Sequence, residues 1–267
     1  MKGRISILAL ALLVAMVPMT SQAQLPPPNG MGVTMGHLHL STKNAAATQK
    51  VFSTIGGTVV RRSNGSEIVK FPGVLIFFRD AEPSGPTVGS VVNHFGFLVQ
   101  NTQASVAKWK AAGLNVVMGE NRTDQAFVTT PEGVRIEILE DKTQSMPIRS
   151  HHTHFSVAES AIPEIQAWYV KFFGAKAGMR GRFQAADVPG MNLTFSKLTE
   201  SSAPLQGTAL DHIGFEIDNL KAFCQKLEAA GIKFDRPYRE TDAGLAIAYI
   251  TDPWGTYIEL TEGLDKL

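Results

Sequence analysis

Histidine and glutamate residues recur at regular places along the chain, and they are the residue types here best suited to chemistry. Glu137 and Glu259 lie in the middle of strand-like segments, with apolar residues on either side. A carboxylate inside a sheet is costly unless a cation or hydrogen bonds compensate it. Each of the seven histidines lies in, or directly beside, a segment that alternates in polarity as a β-strand does. The seven are His37, His39, His94, His151, His152, His154 and His212. We therefore expect these side chains to form metal sites.

The alternation places the histidines on one face of their strands. Successive strand residues point to opposite faces, so His37 and His39 share a face while Leu38 and Leu40 lie behind them. The same pattern occurs around two further histidines: His94 and Gly96 oppose Phe95 and Phe97, and His212 and Gly214 oppose Ile213 and Phe215. The apolar faces predict packing against helices, and the histidine faces are left for a site.

The second half of the sequence repeats the first. Glu137 recurs 122 residues later as Glu259, and a Pro-X-Gly-X-X-Ile phrase precedes both. His94-X-Gly-Phe recurs 118 residues later at His212, and a separation of 117 residues relates His37 to His154. One duplicated unit therefore predicts two domains, residues 33–142 and 150–264. At this spacing His39 and His152 have no counterparts, which indicates supporting roles next to the ligands.

Each unit is itself made of two similar pieces. Each piece reads as a strand, a helix and three strands, so the chain predicts an α+β fold of four βαβββ modules. The predicted helices cover residues 45–55, 103–112, 162–173 and 220–230. The curved sheets of such modules need helices behind them, and their opposite faces would carry the histidines.

The N-terminus has the features of a secretory signal. Lys2 and Arg4 precede an apolar run over residues 5–17, and Ser21 and Ala23 supply small residues before a cut after Ala23. Residues 1–23 are therefore expected to be removed from a protein exported to the periplasm or beyond, and the run is short for a membrane span. The formal net charge of +1 becomes −1 without Lys2 and Arg4, which does not favour nucleic acid or a membrane surface as a partner.

Cys224 is the single cysteine, so an exported fold must hold together without an internal disulfide. Because it lies in a helical pattern, we expect it to be a buried, inert thiol.

The order of a His, then His-X-Gly-Phe, then Pro-X-Gly-X-X-Ile-Glu resembles the vicinal oxygen chelate superfamily. That superfamily includes glyoxalase I, extradiol dioxygenases, fosfomycin-modifying enzymes, methylmalonyl-CoA epimerase and bleomycin-binding proteins. The resemblance covers about residues 33–263 and implies paired βαβββ modules, each pair forming an open barrel around one site. It implies two ligand sets, the first His37, His94 and Glu137, the second His154, His212 and Glu259. Two histidines and a carboxylate favour Fe(II), with Mn, Zn or Ni as alternatives.

The resemblance also indicates which chemistry to expect. Glyoxalase-like members draw a further ligand from the fourth strand of a module, and here residues 74–78 and 191–195 hold no carboxylate. Extradiol dioxygenases carry a Tyr ten residues before the Glu ligand, as Tyr249 stands to Glu259, whereas the first unit has Phe127. Tyr249 is thus implied as a catalytic residue of the second unit. Against ring cleavage, the acid/base His of such enzymes is missing near the fourth strand, where Lys197 is the nearest titratable group.

Polar residues of the second unit suggest partners for a substrate. Asn192 and Thr194 face the same way as the ligands, and arginines flank them at positions 180, 182, 236 and 239. Three functions remain open: a dioxygenase-like enzyme, a metal-dependent lyase, isomerase or transferase, and a non-catalytic protein that binds a small molecule. In each, the expected partner is a small molecule, and for the enzymes one that chelates metal through oxygen.

Overall fold

Four similar modules build the fold, as the sequence predicts. The computed structural model describes residues 25–62, 64–198, 202–242 and 244–267. The signal segment 1–23 lies outside these residues and stays a prediction. Module 1 contains β1 (Val33–Thr42), α1 (Ala45–Ile55), β2 (Thr58–Arg61), β3 (Glu67–Phe71) and β4 (Val74–Asp80). Module 2 contains β5 (Val92–Val99), α2 (Thr102–Ala111), β6 (Val116–Met118), β7 (Gln125–Thr129) and β8 (Arg135–Glu140).

The second half of the chain repeats this order. Module 3 contains β9 (Ile148–Val157), α3 (Ile162–Phe173), β10 (Lys176–Arg180), β11 (Phe183–Val188) and β12 (Met191–Lys197). Module 4 contains β13 (Leu210–Ile217), α4 (Leu220–Ala229), β14 (Phe234–Glu240), β15 (Ala246–Thr251) and β16 (Tyr257–Glu262). The α+β class and the tandem βαβββ modules are confirmed. None of the described helices has the length and apolar character that a membrane span requires.

The helix starts explain why the repeat spacing changes along the chain. Asn44, Asn101 and Asn219 begin α1, α2 and α4, and each side chain accepts a backbone N–H of the first turn. The start of α3 has no such cap, and a 3-10 turn, Glu159–Ala161, precedes it instead. The connection from β9 to α3 is therefore two residues longer than that from β1 to α1. The first strands of modules 1 and 3 consequently match at a spacing of 115 residues, while the helices match at 117.

The modules pair across the two halves of the chain. One eight-stranded sheet has the order β14-β15-β16-β13-β1-β4-β3-β2, and the other β10-β11-β12-β9-β5-β8-β7-β6. Module 1 thus shares a sheet with module 4, and module 2 with module 3. The expectation that the modules of one unit share a barrel is wrong, because β1 pairs antiparallel with β13 and β5 with β9. The proposed domains 33–142 and 150–264 describe the sequence repeat, whereas each sheet takes one module from each.

Apolar faces of both sheets and the helices meet in one core. Phe71 of β3 lies 4.5 Å from Phe97 of β5, ring centre to ring centre, which joins the two sheets directly. On the module 3 side, Phe173 of α3 lies 4.7 Å from Phe215 of β13. Such aromatic pairs contribute about 0.5–1.5 kcal/mol each beyond their buried area. Cys224 lies in this core, as predicted, and burial raises the pKa of its thiol to about 11.

Candidate metal centre

The sheet of modules 1 and 4 brings three predicted ligands together on the face opposite the core. Glu259 Oε2 lies 2.9 Å from His37 Nε2 and 2.8 Å from His212 Nε2. The partly buried His39 completes this group, in which one potential ligand atom from each residue lies within 4.8 Å of the others. We refer to His37, His39, His212 and Glu259 as the Glu259 cluster. Strand pairing positions it, since His39 lies opposite His212 across β1 and β13.

The other sheet holds a similar group, His94, His152, His154 and Glu137, which we refer to as the Glu137 cluster. Glu137 Oε2 lies 2.8 Å from His152 Nε2 and 3.4 Å from His94 Nε2. His154 lies beside His94, with 4.5 Å between ring centres. A hydrogen bond from Gln125 reaches the other oxygen of Glu137.

These contacts correct the grouping that the resemblance implied. His37 does not meet His94 and Glu137, and His154 does not meet His212 and Glu259, because the modules that carry them lie in different sheets. Each expected ligand set is divided between the two clusters.

The counterpart of His37 is His152, not His154. His37 lies opposite Gly214 in its sheet, and His152 lies opposite Gly96 in the other. His39 and His154 are matched in the same way, since they lie opposite His212 and His94. His39 and His152 therefore do have counterparts, contrary to expectation. The 3-10 turn before α3 shifts the spacing by two residues, and this hides the match in the sequence.

The glycine of the His-X-Gly motif makes room for a ligand on the neighbouring strand. A Cβ on Gly214 would lie 2.1 Å from Cε1 of His37, and one on Gly96 would lie 2.2 Å from Cε1 of His152. Real atoms do not approach so closely, so any side chain there must displace the imidazole.

Gly214→Ala is therefore expected to lower the metal affinity of the Glu259 cluster and to destabilise the fold by about 1–3 kcal/mol through overpacking. Equilibrium dialysis and thermal melts measure the two effects. Gly178→Ala is the control, since a Cβ there meets no atom within 4 Å. Unchanged metal affinity in Gly214→Ala would show that the position of His37 does not matter.

Residues before two of the histidines fix the orientation of their rings. Asp211 Oδ2 lies 2.7 Å from Nδ1 of His212, and Asn93 Oδ1 lies 2.9 Å from Nδ1 of His94. An acceptor at Nδ1 holds the proton there and leaves Nε2 free to bind a metal. Asp211 is itself held by Arg79, at 2.9 Å. Sequence reasoning missed both acceptors, although their shared place before the His-X-Gly motif was a signal.

Burial and charge set the protonation of the Glu259 cluster. Burial alone would raise the pKa of Glu259, but His37 and His212 hold it well below its usual range. Burial lowers the pKa of His39 well below its ordinary value, so this imidazole is neutral at pH 7. The His212 pKa is raised despite burial, because Asp211 and Glu259 favour the proton. The carboxylate is thus ionised, as a metal ligand must be.

Both clusters have the donor set for a divalent metal. In each, two imidazole Nε2 atoms approach one carboxylate oxygen. In the Glu137 cluster, Nε2 of His94, Nε2 of His152 and Oε2 of Glu137 are buried without a hydrogen-bond partner among the described residues. Buried polar atoms of this kind require a partner, and a cation between them would supply it. These residues fit a metal with two histidines and one carboxylate.

Neighbouring side chains of module 3 hydrogen-bond to the Glu137 cluster. Arg180 donates to Nδ1 of His154 at 3.2 Å and to Oγ1 of Thr194 at 2.6 Å, and Ser196 lies 2.8 Å from Nε2 of His154. Both ring nitrogens of His154 are therefore occupied. Thr194 in turn donates to Asn192. The expectation that Asn192 and Thr194 line the site of Glu259 is wrong, because module 3 lies in the other sheet.

The surroundings of the Glu259 cluster include an open cavity. The cavity has a volume of about 240 Å³, and His37, His39, Tyr249 and Glu259 contribute to its wall. Tyr249 lies opposite Glu259 on the neighbouring strand, and its ring stacks on Tyr257 at 5.2 Å. Burial, followed by the Glu259 charge, raises the pKa of Tyr249, so the phenol stays protonated. Phe127 takes the place of this tyrosine beside Glu137.

Comparison with known proteins agrees with this fold. The family model described as Glyoxalase/Bleomycin resistance protein/Dioxygenase superfamily matches residues 151–260. Glyoxalase I from Zea mays is similar in structure, with a TM-score of 0.66 and 15% identity over 88% of this chain and 94% of that chain. A protein described as "putative dioxygenase" from Bacillus subtilis subsp. subtilis str. 168 has a TM-score of 0.63 and 13% identity over 86% of this chain and 84% of that chain. No curated protein matches. The predicted superfamily resemblance is confirmed.

Proposed function

We propose that this chain, a member of the vicinal oxygen chelate superfamily, is a metal-dependent enzyme that works at the Glu259 cluster. One observation carries the proposal: this cluster combines a two-histidine, one-carboxylate set with an open cavity whose wall includes His39 and Tyr249. In the Glu137 cluster, by contrast, Arg180 and Ser196 already occupy the ring nitrogens of His154. The difference favours one working site, with the Glu137 cluster as a structural metal site.

His37, His212 and Glu259 would hold the metal, with Fe(II) favoured and Mn, Zn or Ni as alternatives. When bound, the metal supplies a Lewis acid that polarises a chelating substrate oxygen. Three protein ligands would leave open positions for oxygen atoms of a small substrate. The partner is thus a small molecule that chelates through oxygen.

His39 and Tyr249 are the groups that would handle protons and hydrogen bonds. No hydrogen bond to another described residue engages the His39 side chain, and the neutral imidazole can accept a proton from a substrate hydroxyl. The protonated phenol of Tyr249 can donate to a substrate oxygen. Phe77 and Ile247 make part of the wall of the same cavity apolar. The sequence showed no acid/base histidine near the fourth strand. In this proposal His39 of β1 takes that role.

These roles favour a dioxygenase-like reaction, in which a substrate hydroxyl loses its proton before O₂ reacts. A lyase or isomerase is the second candidate, and one observation favours it. The nitrogen of His39 lies within 4.8 Å of the other potential ligand atoms. As a fourth ligand His39 would leave fewer open positions, which suits proton transfer on a chelated substrate without O₂.

Metal content and oxygen consumption test the proposal. Protein purified without chelator or affinity metal is expected to contain tightly bound divalent metal, measured by elemental analysis. After anaerobic loading with Fe(II), a catecholic substrate is expected to be consumed together with O₂, as followed with an oxygen electrode. Turnover that is unaffected by removal of O₂ would support the lyase or isomerase. Absence of metal, with no uptake of Fe(II), Mn(II) or Zn(II), would favour a non-catalytic binding protein.

A further inference from the structure

Arg62 contributes to the wall of the Glu259 cavity, and no ion pair to another described residue engages its charge. Its guanidinium lies over the ring of Phe77, with 5.4 Å from Cζ to the ring centre, and the same ring lies 4.9 Å from that of His37. Nε of Arg62 is buried and has no hydrogen-bond partner among the described residues. A buried donor without a partner is costly, and the cost is greater for a charged group. This donor therefore points to a ligand.

The other sheet has an arginine, Arg180, at the equivalent position, and its guanidinium has hydrogen-bond partners. Arg62 N donates to the carbonyl of Ser66 at the end of the β2–β3 hairpin, and Arg180 lies opposite Phe183 at the equivalent end of the β10–β11 hairpin. Strand register makes Arg180 the counterpart of Arg62, just as His154 is the counterpart of His39. Arg180 uses its guanidinium to bind His154 and Thr194.

The residue next to each arginine explains why, within the described residues, Arg180 has a side-chain acceptor and Arg62 does not. Thr194 lies opposite His154 on β12, and Phe77 lies opposite His39 on β4. The hydroxyl of Thr194 accepts from Nε of Arg180 at 2.6 Å, whereas the ring of Phe77 offers Arg62 no such acceptor. Arg62 therefore lacks, among the described residues, the hydroxyl acceptor that Arg180 has, and it lies in the sheet that has the open cavity.

The remaining groups that face this cavity do not neutralise Arg62. Glu259 is the acidic residue in its wall, and its Oε2 is bound by His37 and His212. The other lining residues are polar or apolar without charge: Thr241, Tyr249 and Thr261 on one hand, and Phe77, Leu245, Ile247 and Leu264 on the other. Within the part of the chain that the structure describes, the cavity thus presents the positive charge of Arg62, without an ion-pair partner, next to a metal-binding group.

We propose that the substrate carries a carboxylate in addition to its metal-chelating oxygens, and that Arg62 binds this carboxylate. The inference rests on the proposed function and names its substrate class: a small organic acid. An arginine is suited to this task because its planar fork matches both oxygens of a carboxylate. A volume of about 240 Å³ is below the ~300–1,000 Å³ typical of drug-sized ligands, so the acid is small.

Two probes that differ in one charge test the role of Arg62. The compounds 3,4-dihydroxybenzoate and 3,4-dihydroxybenzamide share a pair of chelating oxygens, and only the first carries a carboxylate. Isothermal titration calorimetry of the full-length mature protein, loaded with Zn(II), gives the dissociation constant of each. Wild-type protein is expected to bind the acid about tenfold more tightly or better, as a charge-assisted hydrogen bond predicts.

Arg62→Gln is expected to bring the ratio of the two dissociation constants close to one. Arg61→Gln removes the same charge from the exposed neighbouring residue and is expected to leave the ratio unchanged. A wild-type ratio near one, or a ratio that Arg62→Gln does not change, would overturn the inference. Zn(II) uptake is measured separately by equilibrium dialysis. If no Zn(II) binds, the proposed function fails, and the ratio measured on metal-free protein still decides the role of Arg62.

Discussion

Glu259→Gln is expected to lower the metal affinity of the Glu259 cluster by roughly 10²-fold or more and to abolish turnover. Replacement of groups that merely support metal ligands costs about 10–100-fold in affinity or activity, and a ligand should cost more. Gln keeps the size and one oxygen of the side chain but loses the charge that balances the cation. In addition, His37 and His212 would lose their shared carboxylate partner. Equilibrium dialysis with Zn(II) and turnover of the Fe(II)-loaded protein measure the two effects.

Glu137→Gln is the matched control, since Glu137 occupies the same place between His94 and His152 in the other sheet. It is expected to lower the metal content or the melting temperature and to leave most of the turnover. Circular dichroism establishes that both variants remain folded. Equal loss of turnover in the two variants would mean that the clusters are equivalent or act together. Loss in Glu137→Gln alone would place the working site in the other sheet.

The elements of the fold were predictable because they depend on local patterns. The predicted helix 45–55 and α1 have the same bounds, and α3 also begins and ends as predicted. Alternation along the strands placed His37 and Glu259 on faces that point away from the core, where the structure finds them. Periodicity and turn residues carry this information within a few neighbouring positions.

The pairing of modules was not predictable from the repeat. All four modules begin with a strand of the same character, so the sequence does not state which first strands meet. Two arrangements satisfy the same burial pattern, and the choice between them lies in contacts such as Phe71 with Phe97 across the core. The predicted histidines and glutamates therefore do form clusters, but in a different grouping from the predicted one. His37 joins His212 and Glu259, and Tyr249 remains beside Glu259 only because both lie in module 4.

The match between individual histidines failed for a smaller reason. Because two additional residues precede α3, the repeat spacing of the first strands differs from that of the helices. A spacing taken from helices and turns therefore related His37 to His154 instead of His152. Arg62 was missed because its proposed role depends on the lack of a hydrogen-bond acceptor on Phe77. The lack of an acceptor leaves no recognisable motif in a sequence.

Asp211→Asn is expected to lower the metal affinity of the Glu259 cluster by roughly 10-fold to 100-fold. Asp211 lies 2.7 Å from Nδ1 of His212, and its charge stabilises the proton there, which makes Nε2 a stronger donor to a metal. Asn keeps an acceptor oxygen for the same hydrogen bond but removes the charge. The ring orientation should thus persist while the metal binds more weakly, as measured by competition with a chelator of known affinity.

The Glu137 cluster provides the reverse experiment, because Asn93 already stands at the position equivalent to Asp211. Asn93→Asp is expected to raise the metal affinity of that cluster, with Asp211→Asn lowering the affinity of the other. Arg79 donates to Asp211 at 2.9 Å, and it loses this charged partner in Asp211→Asn. Thermal melts of both variants therefore distinguish a change in stability from a change in metal affinity. If Asp211→Asn binds metal as tightly as the wild type, the charge of Asp211 does not contribute to the metal affinity. If Asn93→Asp strengthens binding while Asp211→Asn weakens it, the charge behind the histidine is what distinguishes the two clusters in metal affinity.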